Sequence, residues 1–137
     1  MFFKKKDMKD DSKDLEKIAA LLIHAANIDQ NYTLKEEEII KETILDLSDV
    51  ELNIEKLIEN AKNIEKNNNQ ILDFTKEAKN LNNDDKIKIV ESLWKIIYSN
   101  NEADIYETNL MRRLAGLLYI DSKTMGSIKE KIKKKNL

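Results

Sequence analysis

The chain has 137 residues, enough for one ordinary domain, with 24 basic and 26 acidic side chains and a formal net charge of −2. Without cysteine, and with His24 as its single histidine, it can hold no disulfide, thiol nucleophile, Cys-ligated zinc or histidine-rich metal centre. Two late, isolated glycines, Gly116 and Gly126, exclude a P-loop and a glycine-rich dinucleotide cradle.

Residues 1–11 read as a flexible N-terminal segment. Phe2 and Phe3 beside Lys4–Lys6 offer at most a peripheral membrane contact. There is no apolar stretch of signal-peptide length, and the longest apolar run is Ile18–Ile23, so no transmembrane segment is expected. Over residues 12–28, Leu15, Ile18, Ala19, Leu22, Ile23 and Ala26 follow helical spacing and form one apolar stripe, with His24 at its edge. After a polar stretch from Asn27, Thr33 and Glu36 form a T-x-x-E capping box that predicts a helix over 34–46, with Ile39, Ile40, Thr43, Ile44 and Leu47 inward. Ser48 and Glu51 repeat the device and predict a third helix presenting Val50, Ile54, Leu57, Ile58, Ala61 and Ile64.

Asn67–Asn69 break the pattern, since asparagine favours turns over helix interiors. A shorter helix is predicted over 70–80 from Ile71, Phe74, Ala78 and Leu81. Asn82 with Asp85 resembles another cap, before Ile87, Val90, Leu93, Trp94 and Ile97. Asp104 with Glu107 caps a helix bearing Leu110, Met111, Leu114, Leu117 and Leu118. Asp121 or Ser122 starts the last, with Met125, Ile128 and Ile132 inward. No segment alternates long enough for a strand. Residues 12–135 are therefore expected to fold as one all-α domain, a bundle of about seven helices.

The charge is unevenly spread. Residues 123–137 hold six lysines and one glutamate, while the remaining 122 residues hold 18 basic and 25 acidic side chains. An acidic body argues against nucleic acid as a partner, and the lysine-rich end allows peripheral contact with an anionic surface.

The chain also repeats itself. A shift of 71 residues places Ile18, Ala19, Leu22, Ile23 and Ala26 on Ile89, Val90, Leu93, Trp94 and Ile97. It also places Asp29 on Asn100, Thr33 on Asp104, Glu36 on Glu107 and Ile40 on Met111. Two related helix-loop-helix halves would pack about a pseudo-twofold axis and bring their polar loops together. Asp29, Glu36, Asn100, Glu102 and Glu107, with Asp104 as an additional donor, would then gather oxygen ligands near helix ends that attract cations. That donor set suits Ca²⁺ or Mg²⁺ rather than zinc. Two readings stay open: Glu36 and Glu107 serve only as helix caps in an ion-free scaffold, or the acidic loops also bind a divalent cation. No nucleophile–base pair or phosphate cradle points to an enzyme.

The stretch Leu93-Trp94-Lys95-Ile96-Ile97-Tyr98-Ser99-Asn100 through Glu107, continued by Arg112-Arg113-Leu114-Ala115-Gly116, resembles the TerB tellurite-resistance family. The segment Ile28–Glu36 looks like that family's other loop, and Phe74-Thr75 with Leu81 matches its middle section. It is similar also to the domain preceding the J-domain in DjlA co-chaperones. The resemblance implies an all-helical fold of two halves with a metal-binding acidic face. It also implies a protein partner in a bacterial stress-response assembly, in the cytoplasm or peripheral to the inner membrane. By position, the family's loop aspartate falls on Asp29 and Asn100 and its glutamate on Glu36 and Glu107. Asn100 lacks the charge, and Gln30 and Asn101 stand where the family has glycine.

Overall fold

The computed structural model describes residues 8–28, 32–48, 51–67, 75–76, 78–100 and 105–135. Among these, six α-helices follow one another: α1 (Met8–Ala26), α2 (Leu34–Leu47), α3 (Ile54–Asn67), α4 (Asn83–Ile97), α5 (Ile105–Leu117) and α6 (Ser122–Lys135). Short 3₁₀ turns occupy Ala78–Asn80 and Tyr98–Asn100, and no strand occurs among the described residues. The helix expected over 70–80 lies mostly outside the described residues, and its described end is the first of these turns.

Side-chain caps decide most helix starts. Thr33 closes a reciprocal capping box with Glu36 at the head of α2. Asn82 accepts the Asp85 N–H at 2.8 Å at the head of α4. Asp121 accepts the Thr124 N–H at 2.7 Å ahead of α6, and this bond holds the Asp121 carboxyl below its usual range. The third cap differs from expectation. Ser48 ends α2, its N–H bonded to the Ile44 carbonyl, and α3 starts at Ile54 behind Asn53, which accepts the Lys56 N–H at 3.2 Å. Asparagine caps as well as serine does, so S-x-x-E lost to a cap five residues downstream. Val50 lies outside the described residues.

The core forms around α1 and α4. Leu15, Ile18, Leu21, Leu22 and Ile23 pack with Ile89, Leu93, Ile96 and Ile97, all fully buried. From Ile18 to Ile23 every α1 residue is buried, as expected of a helix covered on several sides by α2, α3 and α4. The 71-residue repeat is visible in the fold. The helices α2 and α5 begin 71 residues apart, and α1 and α4 end 71 residues apart. The helix α3 packs on α1 and α2 as α6 packs on α4 and α5. Corresponding core residues are buried alike, Leu22 with Leu93, Leu57 with Ile128 and Ala61 with Ile132. None of the described helices is long and apolar enough to cross a membrane.

Candidate functional site

The direction of α2 along α4 is fixed by side chains. The hydroxyls of Thr43 and Ser92 hydrogen-bond each other, and Lys88 reaches Asp46 at 3.4 Å, so the two helices run antiparallel. A groove shared by Ile39 and Lys95 continues the same register. Glu36, one turn before Ile40, therefore lies level with the end of α4. The first half of α5 lies beside the end of α1, since Asn109, Leu110 and Arg113 share a groove with His24 and Ile28. Glu107, two residues before Asn109, belongs to that same end, and its charge acts on Tyr98 at the end of α4. Both repeats thus deliver their equivalent glutamates to the end of the bundle where α1 and α4 terminate.

The two carboxylates are unusually buried for their type. Glu36 is 2% and Glu107 6% exposed, a placement glutamate adopts only with partners. Glu36 Oε1 accepts the Thr33 N–H at 2.8 Å and the Thr33 hydroxyl at 3.1 Å, while the Thr33 hydroxyl accepts the Glu36 N–H at 3.1 Å. Each glutamate is felt by a nearby phenol. Burial, and then the charges of Glu37 and Glu36, push the Tyr32 hydroxyl far up. Burial, followed by Glu130 and Glu107, raises that of Tyr98. In both, burial of the phenol is the larger cause and the carboxylates add to it.

Of the expected site residues, then, the structure brings Glu36 and Glu107 to one end. Asp29, Glu102 and Asp104 lie outside the described residues, as does the side chain of Asn100. Among the described residues no group of three carboxylate or imidazole side chains is close enough to hold a metal ion.

A neighbouring charge network was not foreseen. Glu37 accepts from Lys62 at 2.7 Å, from the Tyr32 hydroxyl at 3.2 Å and from Lys41 at 3.5 Å, and Lys41 also reaches Glu55 at 2.8 Å. Lys62 additionally lies 5.4 Å from the centre of the Tyr32 ring. The Lys62 bond above all holds the Glu37 carboxyl below its ordinary 4.5. Glu65 joins α3 to the end of α1, accepting from Asn27 at 3.0 Å and lying 3.4 Å from His24. The Glu37–Lys62, Asn27–Glu65 and His24–Glu65 pairs sit 25 to 41 positions apart, so no local spacing could have announced them.

Against this geometry, a family model described as tellurite resistance protein TerB matches residues 15–130. The chain belongs to the TerB family. No curated protein and no solved structure was matched in the other two comparisons. The match spans both repeats of this TerB domain and includes Glu36, Glu107 and Trp94.

Proposed function

We propose that this TerB-family chain is a non-catalytic binding domain of a bacterial stress-response assembly, whose acidic end binds a divalent cation and through it a protein partner. The observation that carries this reading is the burial of two equivalent carboxylates, Glu36 and Glu107, at the end where α1 and α4 terminate and their dipoles are negative. The donors fit a hard ion: they are oxygens only, and the Thr33 bonds orient Glu36. Asp29, Asn100 and Glu102, with Asp104, would complete the oxygen set for Ca²⁺ or Mg²⁺. A bound ion would cancel the repulsion between the carboxylates and order both loops into one surface.

A second reading is favoured by the completeness of the Thr33–Glu36 box. A capping box satisfies orphan helix N–H groups without any ion, and the domain would then be an ion-free scaffold. Thermal melting with Ca²⁺, Mg²⁺ and Mn²⁺ separates the two. An ion at 100 times its Kd stabilises by roughly 2.7 kcal/mol, and Glu36→Gln should abolish that shift while keeping the cap. Melting that no ion moves, or that moves equally in Glu36→Gln, selects the scaffold.

A further inference from the structure

The two repeats build the groove between their second and third helices differently. In the first repeat carboxylates cross it: Glu37 binds Lys62 at 2.7 Å, and Glu55 binds Lys41 at 2.8 Å. The same positions in the second repeat, 71 residues on, read Thr108 for Glu37, Gly126 for Glu55, Arg112 for Lys41 and Lys133 for Lys62. Both cations are kept, and both carboxylates are gone.

What remains between α5 and α6 is an open, largely apolar groove of about 180 Å³ with Trp94, Met111 and Met125 in its lining. Among the described residues, Arg112 and Lys129 are its only charged lining residues, and Lys129 lies 5.4 Å from the centre of the Trp94 ring. An apolar cavity of roughly 150 Å³ can hold a benzene ring, so one leucine or phenylalanine side chain fits. Two further features are unexplained by the fold. Trp94 is 3% exposed, and its indole N–H is the one buried side-chain group without a hydrogen-bond partner among the described residues. Gly126 stands inside α6 with no positive φ and with nothing within 4 Å of the position a Cβ would take. Glycine is a poor helix former, and here the chain itself makes no use of its small size.

We propose that this groove docks an acidic segment of a partner protein, which buries one apolar side chain beside Gly126 and presents its own carboxylates to Arg112, Lys129 and Lys133. The partner supplies in trans the charges that Glu37 and Glu55 supply within the first repeat. A flat bilayer surface cannot thread a single side chain into a slot between two helices, so a peptide segment is the occupant. The groove uses neither Glu36 nor Glu107, so it stands or falls apart from the cation reading.

Trp94 is the only tryptophan, so its indole ¹H–¹⁵N resonance reports on the groove without ambiguity. The full chain is titrated with an acetylated peptide carrying one phenylalanine between runs of glutamate. The Trp94 resonance should move saturably, and the same peptide with lysine for glutamate should leave it in place. Gly126→Leu, which fills the groove, and Lys129→Glu should each weaken binding about tenfold or more, while Gly126→Ala should bind with little change. If Gly126→Leu loses helicity, Lys129→Glu with the charge-swapped peptide decides instead. A Trp94 signal indifferent to the acidic peptide, or binding unchanged in these variants, overturns the proposal. A shift driven by protein concentration alone, meaning a second copy, or by anionic vesicles without peptide, overturns it as well.

Discussion

The first repeat, α1 to α3, and the second, α4 to α6, share a backbone plan and a core but have different surfaces. Interior positions stayed apolar across the duplication, as with Leu22 and Leu93, because burial rewards apolar surface, although size changed at some, as between Ala61 and Ile132. Surface positions did not. The first repeat is laced by Glu37, Glu55 and Glu65 to lysines, histidine and asparagine, whereas the equivalent positions of the second are Thr108, Gly126 and Asn136. Helix endings diverge as well. Ser48 ends α2 in an extended conformation, while its counterpart Tyr119 ends α5 at φ 59, with the Ile120 N–H bonded to the Ala115 carbonyl at 2.9 Å. The buried half of each repeat thus preserves the fold, and the exposed half is where the two copies have been free to specialise.

The comparison can be broken first at its strongest point. Leu22→Ala and Leu93→Ala, at equivalent and fully buried positions, should each cost about 2–5 kcal/mol in urea unfolding. A cost near zero at one of them would mean that the repeats do not share one core. The Thr43–Ser92 pair, which fixes how α2 lies on α4, comes next. Thr43→Val alone should cost about 1–3 kcal/mol by leaving Ser92 without its buried partner, and adding Ser92→Ala should recover part of the loss in a double-mutant cycle.

The charge lacing of the first repeat is worth less, because Lys62 is half exposed. Glu37→Gln should cost about 1 kcal/mol at neutral pH. The folded Glu37 carboxyl titrates below its ordinary 4.5, so in that range the unfolded chain binds more protons than the folded one. The contribution is therefore complete above pH 4.5 and drains away as pH falls through the lower folded value. Melting curves of wild type and Glu37→Gln should converge across that acid range. The smallest effect is expected at Tyr119. Tyr119→Gly removes left-handed strain but also the contact with Lys86, 5.6 Å from the ring centre, for a net gain of about 0.5 kcal/mol by thermal melting.

How far the sequence revealed this arrangement depended on whether a feature was local. The stripe from Leu15 to Ala26 and the caps at Thr33, Asn82 and Asp121 follow from spacings of three or four residues, and the folded chain has them. The 71-residue repeat was equally legible, because core side chains at matching helical positions cannot drift far. Ser48 misled because two good capping residues, Ser48 and Asn53, lie within one loop, and their competition is settled by packing. The Glu37–Lys62 and His24–Glu65 contacts join helices whose juxtaposition only the fold creates. The Trp94 groove was hidden for the same reason. It consists of an absence, the two carboxylates that the second repeat lacks, and it shows only when the two grooves are compared in space.

In the function proposed above, Glu36 and Glu107, set at one end of the bundle by duplication, are halves of a single cation site. Substoichiometric Mn²⁺ followed by amide NMR tests it most directly, since a bound paramagnetic ion broadens only nearby resonances. Signals around Glu36 and around Glu107 should broaden together, at the same ion concentration, and Glu36→Gln should abolish both. Broadening confined to one repeat, or scattered over unrelated surface carboxylates, would contradict it.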